Sequence, residues 1–404
     1  MTNFQQQSQK PSPDHQISIV ARLGWVSFFN DCSSEVIARA LPLFLIMLGM
    51  TPTFIGIIEG LAETVNIFLR GFSGWVSDRL ESRKPLVVTG YALSILSRFA
   101  LLLAFIPSLL AATRIFDRFG KGIRTAPRDA MVADASALGK AGHAFGITRF
   151  LDTAGAVIGL VIVLLLGVGE TALSKQDFYT IVLVSIPFGL ISLALLIFWV
   201  PKLPTLIKAK TYLSFSIPRE IRSYLVIVFI FALGNSSDAF LVLRAKQVGF
   251  SFHDILIILI FFNLLAAALA IPAGKLSDKF GRLRFLVTGW VIYGITYCGI
   301  GLLNGKNAFI FFMCLYGAFY GFTEGVEKAL LADLLPADKR GTGYGALQLI
   351  LGIAALPASF ITGILLTYYG ARIAFPAAGV LALAGALVLS MWGAQTPRAR
   401  RNNV

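Results

Sequence analysis

Long apolar segments recur along the whole length of this chain and restrict the kind of fold it can adopt. A helix needs about 20 predominantly apolar residues to cross roughly 30 Å of hydrocarbon, and segments of that length follow one another from end to end. The composition agrees, because 56% of the 404 residues are hydrophobic and 14% are charged, whereas a soluble protein of this size needs far more polar surface. The segments are too long for strands and show no alternation of apolar and polar residues. The sequence therefore predicts an all-α membrane protein that spans the bilayer many times.

We expect twelve transmembrane helices in this chain. Their predicted bounds are 18–48, 52–78, 84–105, 107–133, 140–168, 177–200, 219–248, 251–277, 283–303, 306–334, 340–369 and 370–394. Short loops rich in Lys and Arg remain in the cytoplasm. Such loops follow the second, sixth and eighth segments, the chain end is also basic, and the alternate loops are poor in cations. Both termini are therefore expected in the cytoplasm.

The two halves of the chain repeat each other at an almost constant offset. Gly74-Trp-Val-Ser-Asp78-Arg79 recurs as Gly274-Lys-Leu-Ser-Asp278-Lys279, and the segments that end at Asp134 and Asp333 also correspond. Such a duplication predicts two pseudo-symmetric six-helix bundles with a cavity between them. The predicted units are a cytoplasmic tail at 1–17, bundles at 18–200 and 219–394, a cytoplasmic linker at 201–218 and a basic cytoplasmic tail at 395–404.

The segment 114–134 combines an apolar back with a charged front. On a helix, its charged residues fall on one arc. The five cations of this arc, which we call the basic stripe, are Arg114, Arg118, Lys121, Arg124 and Arg128. Each charge in a membrane costs roughly 3 kcal/mol or more, so such residues normally face a water-filled cavity and mark a solute or proton path. The alternative is an internally paired structural network or an amphipathic helix end near water. Because three cations have no anion within the same helix, we favour the solute path.

An excess of fixed cations in a low-dielectric cavity favours an anionic solute, and the forked Arg side chain suits carboxylate or phosphate. The predicted substrate-binding residues are Arg114, Arg118, Lys121, Arg124, Arg149, Tyr316, Tyr320 and Glu324. Buried carboxylates beside them are candidate proton carriers, and these are Asp31, Glu35, Glu63 and Asp152. A static pairing of Asp31 and Glu35 with Arg70 or with an arginine of the stripe is the alternative.

Several other function classes find no support in the sequence. The three cysteines and three histidines are scattered without the spacing of metal ligands. Nothing resembles a nucleophile elbow, a zinc helix or a phosphate-binding loop, so we expect no enzyme activity, metal or cofactor. The net charge of +14 lies largely in loops and tails between apolar spans, where it sets topology, so no nucleic-acid partner is expected.

The loop after the second and eighth segments resembles the signature loop of the major facilitator superfamily, a Gly, three residues, then Asp-Arg-x-Gly-Arg-Arg/Lys. The first copy departs from it at Glu81 and Ser82, and the second copy is closer. The resemblance implies that both loops latch neighbouring helices and so control gating rather than bind solute. The residues it assigns to gating are Gly74, Asp78, Arg79, Arg83, Gly274, Asp278, Lys279 and Arg282.

Further motifs resemble a bacterial subgroup of the same family. These are Asn-Asp-x-Ser-Ser-Glu at 30–35 and Gly-Lys-Gly-x-Arg-x-x-Pro-Arg-Asp-Ala at 120–130. The resemblance implies a monomeric, inner-membrane secondary transporter that works by alternating access, with protons as the coupling ion. Some members of the subgroup are implicated in siderophore or organic-solute movement, so a carboxylate siderophore is one expected substrate. An efflux pump for amphiphilic compounds and a non-transporting membrane sensor remain alternatives.

Overall fold

The protein is almost entirely helical in the computed structural model, which describes residues 13–104, 106–135, 141–169, 173–202, 219–335 and 340–395. The helices in chain order are α1 (Pro13–Met47), α2 (Pro52–Ser77), α3 (Lys84–Leu102), α4 (Pro107–Ala135), α5 (Ala141–Leu165), α6 (Lys175–Ala194), α7 (Arg222–Gly234), α8 (Ala239–Val248), α9 (Phe252–Phe280), α10 (Arg282–Leu302), α11 (Lys306–Leu334), α12 (Arg340–Tyr368) and α13 (Ala371–Gln395). The predicted all-α fold is confirmed. The bounds of the predicted bundles, linker and tails stay predictions, and residues 1–12, 203–218 and 396–404 lie outside the described part.

The long helices account for the twelve predicted transmembrane segments. Within the described residues, ten segments are long and apolar enough to cross a membrane by length and composition. The two remaining long helices, α1 and α4, carry ionisable residues through their middle. Together these twelve form the two six-helix bundles, with α1–α6 in the N-terminal half and α7–α13 in the C-terminal half.

Helix seven, which we define as α7 and α8 with the residues between them, is interrupted although the sequence predicted a continuous span at 219–248. The helical hydrogen bonding stops after Gly234 and resumes at Ala239. Neighbouring side chains take over some of the freed backbone groups. The Tyr293 hydroxyl donates to the Gly234 carbonyl at 2.8 Å, and the Ser237 N–H donates to Ser359 Oγ at 3.2 Å. Such replacement partners are what allow non-helical backbone at membrane depth.

The two halves meet most closely between α2 and α12. A Cβ on Gly56 would lie 2.3 Å from the Ser359 carbonyl oxygen, so only glycine permits this approach. The Thr53 hydroxyl donates to Thr367 Oγ1 at 2.8 Å near the start of α2. We call this end of the molecule the Thr51 end, and the opposite end, with the turns after Asp78 and Asp278, the Asp78 end.

Two glycines hold α4 tightly between its neighbours. A Cβ on Gly120 would lie 2.8 Å from the Gly90 carbonyl oxygen of α3, and a Cβ on Gly122 would lie 2.7 Å from the Asn66 carbonyl oxygen of α2. The backbones can therefore approach closely on both sides of Lys121. This packing fixes the rotation of α4, and with it the direction of the basic stripe.

Candidate functional site

Arg114 belongs to a buried ion pair. Its Nε and Nη2 atoms donate to the two carboxylate oxygens of Glu59, each at 2.8 Å. Both side chains are less than a tenth exposed. A forked guanidinium–carboxylate pair of this geometry satisfies both partners, so Arg114 offers little free charge to a solute.

Arg124 and Arg128 are also engaged by the N-terminal half. The Arg124 guanidinium donates to Ser94 Oγ and lies 4.5 Å from the centre of the Tyr91 ring. Arg128 donates to Ser27 Oγ at 2.6 Å. It also forms ion pairs with Asp129 at 3.0 Å and with Asp152 at 3.5 Å. The part of the stripe that lies nearest the Asp78 end is therefore a network of paired side chains. The predicted proton carrier Asp152 belongs to this network.

Lys121 and Arg118 differ from these three cations. The nearest carboxylate oxygen to Arg118 Nη1 belongs to Glu63 at 3.9 Å, and Arg118 Nε is buried without a hydrogen-bond partner. The Glu63 carboxylate instead accepts a hydrogen bond from the Asn66 amide at 3.0 Å. Within the described residues, the Lys121 ammonium makes no hydrogen bond or ion pair, although Arg118, Glu63 and Asp31 are its charged neighbours. The middle of α4 thus presents the least compensated positive charge of the stripe.

Helix α1 carries three ionisable residues at a spacing of four, namely Asp31, Glu35 and Arg39, so they lie along one side of the helix. Asp31 accepts a hydrogen bond from the Asn30 amide at 3.0 Å and has no cation within 4.0 Å in the described structure. Glu35 accepts hydrogen bonds from Arg39 Nε and Nη2 at 2.9 and 2.6 Å. The sequence suggested Arg70 or an arginine of the stripe as the static partner of Glu35, but the partner is Arg39. Arg70 instead donates to the Gln348 side chain at 3.4 Å.

Two ion pairs connect the halves. Arg39 Nη1 lies 3.4 Å from the carboxylate of Asp238, in the break of helix seven. Nearer the Asp78 end, Arg149 Nη2 lies 2.6 Å from the Glu324 carboxylate, with these side chains 63% and 41% exposed. The predicted binding residues Arg149 and Glu324 therefore contact each other across the two halves.

The predicted residues Tyr316 and Tyr320 belong to an aromatic cluster of the C-terminal half. Tyr316 donates to Asp238 at 2.7 Å. Its ring stacks on Phe262 at 5.4 Å, and Tyr320 meets the same Phe262 ring edge-on at 5.4 Å. A small recess lies beside Tyr316 and Phe262, and Arg39 and Asp238 line it as well. Apolar and charged surfaces therefore adjoin where the halves meet.

The predicted gating loops form the same arrangement twice. Arg83 bridges Asp78, at 2.9 Å, and Asp134 at the end of α4. Arg282 bridges Asp278, at 3.0 Å, and Asp333 at the end of α11. The bridging arginine follows the first Asp by five residues in one half and by four in the other. In both halves it connects corresponding helix ends, those of α2 and α4 in the first and those of α9 and α11 in the second. Of the remaining gating residues, Gly74 approaches Ala126, Arg79 lies over Trp75, Lys279 lies near Phe280, and Gly274 has open space around it.

Sequence reasoning missed two arginines of the N-terminal half. For Arg39 the signal is its spacing of four from Glu35, which is that of a helical ion pair. Arg98 in α3 is 2% exposed, and its Nη1 atom has no hydrogen-bond partner. A lone arginine in an apolar span would have been the signal for it. As for metals, no three His, Cys, Asp or Glu side chains of the described residues are grouped to hold a metal ion.

Known proteins resemble the chain over most of its length. The sequence model described as Major Facilitator Superfamily matches residues 23–237 and again residues 223–404. The chain is 36% identical over 357 residues to "Uncharacterized MFS-type transporter MJ1317" of Methanocaldococcus jannaschii, a match that covers 85% of this chain and 87% of that protein. It is 24% identical over 318 residues to the multidrug resistance protein MdtH of Shigella boydii, covering 76% and 77% respectively. A crystal structure of the nucleoside transporter NupG superposes with a TM-score of 0.77 at 13% identity, covering 92% of this chain and 99% of that one.

Proposed function

This chain belongs to the Major Facilitator Superfamily, and we propose that it is a secondary active transporter that moves a small organic anion across the bacterial inner membrane by alternating access. The observation that carries the proposal is the pair Lys121 and Arg118. They lie in the middle of α4, face the charged side of the N-terminal half and lack a close anionic partner among the described residues. A substrate carboxylate is the partner that their chemistry favours.

The other three cations of the basic stripe are already paired, which restricts the proposed anion site to Lys121 and Arg118. Arg114, Arg124 and Arg128 are held by Glu59, by Tyr91 with Ser94, and by acidic residues near the Asp78 end. We therefore assign anion binding to Lys121 and Arg118 and a supporting structural role to the other three. A polycarboxylate, such as a carboxylate siderophore, suits two neighbouring cations better than a monocarboxylate does.

We further propose that protons drive the transport and that Asp31 carries them. It is half-buried, lies near Lys121 and Arg128, and forms no ion pair of its own in the described structure. Glu35, Glu63 and Asp152 are less free, because each has a cation within 4.0 Å, namely Arg39, Arg118 and Arg128 respectively. The Asp78 end is proposed to face the cytoplasm, on the evidence of its basic loops.

The binding role is tested by ligand affinity and melting temperature measured together. A thermal-shift screen of the purified protein against mono-, di- and tricarboxylates, drugs and sugars identifies a ligand, because binding stabilises the folded state. Lys121→Gln and Arg118→Gln should each lower the affinity for that ligand roughly ten- to a hundred-fold, the equivalent of about 1.5–3 kcal/mol per charge-assisted hydrogen bond. Lys175→Gln, an exposed lysine at the start of α6, is the matched control and should leave the affinity unchanged.

The opposite pattern would exclude the proposed site. If Lys121→Gln and Arg118→Gln keep ligand affinity and only lower the melting temperature, the two cations are structural. Uptake of the ligand into liposomes that contain the purified protein would separate a transporter from a membrane sensor.

Efflux of amphiphilic compounds is the second candidate function. The similarity to MdtH, described as a multidrug resistance protein, supports it, as does the aromatic recess at Tyr316 and Phe262. Stabilisation by hydrophobic cations rather than by organic anions in the same screen would favour efflux over the primary proposal.

A further inference from the structure

The break in helix seven gathers polar groups in the C-terminal half, away from the basic stripe. Between α7 and α8 the backbone of residues 235–238 is not helical. Interrupted membrane helices expose carbonyl groups and helix ends that coordinate small ions in other transporters. The polar groups around this break are therefore candidates for binding a small ion.

Charge is not balanced at the break. Glu35 and Asp238 each carry one negative charge, and both contact the single positive charge of Arg39. Arg39 is 2.6 Å from Glu35 but 3.4 Å from Asp238, so its charge is largely compensated by Glu35. At the break itself, two carboxylates and one guanidinium leave a net charge of −1, and the next cations, Lys121 and Arg118, act on Glu35 from the middle of α4 and not on Asp238. A half-buried excess charge of this kind is costly unless a cation neutralises it.

Two hydroxyl groups beside Asp238 are also poorly satisfied. Ser236 is 4% exposed and Tyr297 is fully buried, and neither side-chain oxygen makes a hydrogen bond of ordinary length and angle in the described structure, although the two hydroxyls face each other and Tyr297 also faces Tyr293 and Tyr316. The Tyr297 hydroxyl lies next to both Ser236 and Asp238. A buried hydroxyl without a well-formed hydrogen bond destabilises the folded protein, so two of them at one place point to a further ligand.

We propose that the break in helix seven is a sodium-ion site formed by Asp238, Ser236 and Tyr297. The carboxylate and the two hydroxyl oxygens form an all-oxygen donor set, which suits a hard cation. The sodium ion compensates the excess negative charge and provides both hydroxyl oxygens with a partner. Asp238 also lines the recess between the halves and is 27% exposed, so an ion can reach it from water.

A proton explains less of this arrangement than sodium does. Protonation of Asp238 or Glu35 would restore neutrality but would leave the Ser236 and Tyr297 oxygens with only their poorly aligned contacts to neighbouring hydroxyls. The charged and titratable groups that face Asp238 are Arg39 and Glu35 from α1, Tyr293 and Tyr297 from α10, and Tyr316 and Tyr320 from α11. Arg39 is the one cation among them.

Sodium binding is measured without any organic anion, on the full-length protein in detergent. Sodium chloride should raise the melting temperature relative to choline chloride at equal ionic strength, and radioactive sodium should bind at equilibrium. Asp238→Asn should abolish both responses. Tyr297→Phe should weaken sodium binding about tenfold, because one oxygen ligand is lost.

Tyr224→Phe is the matched control for Tyr297→Phe. The Tyr224 hydroxyl is also buried without a partner, but its charged neighbour is Glu327 rather than Asp238. This variant should therefore bind sodium as the wild type does. If Asp238→Asn does not fold, Tyr297→Phe and Ser236→Ala still test the site.

Several outcomes would overturn the sodium site. These are an equal effect of sodium and choline, sodium binding that survives in Asp238→Asn or in both hydroxyl variants, and a melting temperature that responds to pH but not to sodium. The last outcome would assign a proton to the break instead. Because Lys121→Gln should keep the sodium response, failure here is distinct from failure of the proposed anion site.

Discussion

Removing Arg114 should damage stability and not substrate affinity, although the sequence placed it among the substrate-binding residues. The guanidinium makes two hydrogen bonds of 2.8 Å to Glu59, and both side chains are buried. Arg114→Gln would leave the Glu59 carboxylate charged and alone in a low-dielectric interior. Breaking a buried pair from one side costs about 3–5 kcal/mol, most of it the penalty of the stranded charge.

That penalty can be isolated with a second substitution. In Glu59→Gln/Arg114→Gln no charge is stranded, and the two amides can hydrogen-bond to each other. The double variant should therefore regain much of the stability lost in Arg114→Gln. Arg149→Gln is the matched control, because the Arg149–Glu324 pair is exposed at 63% and 41% and pairs of that kind contribute about 1 kcal/mol or less.

The assay is unfolding of the ligand-free protein in detergent, monitored by tryptophan fluorescence, with ligand affinity measured on the same preparations. We expect Arg114→Gln to melt several degrees lower than the wild type and than Arg149→Gln, with unchanged affinity in the folded fraction. The reasoning is refuted if Arg114→Gln melts normally and binds the ligand ten- to a hundred-fold more weakly, as the sequence-based assignment implied.

Two further predictions concern gating and coupling. Asp78→Asn should impair transport and leave ligand affinity largely intact, because it removes one side of the Arg83 latch far from Lys121; loss of binding in a folded variant would contradict this. Sodium should raise the affinity for the organic anion about tenfold, and the anion should raise sodium affinity equally. Asp31 lies near Lys121 and Arg39 lies near Asp238, and the eight residues of α1 between them span about 12 Å. Opposite charges held at about that separation would attract by about 1.4 kcal/mol at an effective dielectric of 20; independent binding constants would contradict the coupling.

The architecture could be predicted because it depends on patterns that are local to each segment. An apolar run of sufficient length predicts a membrane helix wherever its neighbours lie. The repeat of Asp78 and Asp134 as Asp278 and Asp333 likewise indicated corresponding positions in two bundles. The structure adds that one arginine connects each of these pairs of aspartates, which no spacing along the chain reveals.

The site could be predicted only in outline, because pairing depends on contacts between helices. Helical geometry placed the cations of the stripe on one arc of α4, but their partners come from other helices: Glu59 from α2, Tyr91 and Ser94 from α3, and Ser27 from α1. The sequence also contained Asn235 and Asp238 within an apolar span. That the helix breaks there depends on distant residues such as Tyr293, whose hydroxyl binds the Gly234 carbonyl.

Pairing separates the structural charges of this protein from the candidate functional ones. A charge that is paired inside one half, as Arg114 is with Glu59, has no reason to respond when the halves move. Lys121 and Asp238 are different, since Lys121 forms no ion pair in the described part of the chain and Asp238 shares its cation with Glu35. Both charges become less costly when a solute or ion of opposite sign arrives, so both can convert binding into a preference for one arrangement of the halves. Glu35 lies close enough to Arg39 and Lys121 to be influenced by both sites, which makes the first helix the shortest physical connection between them.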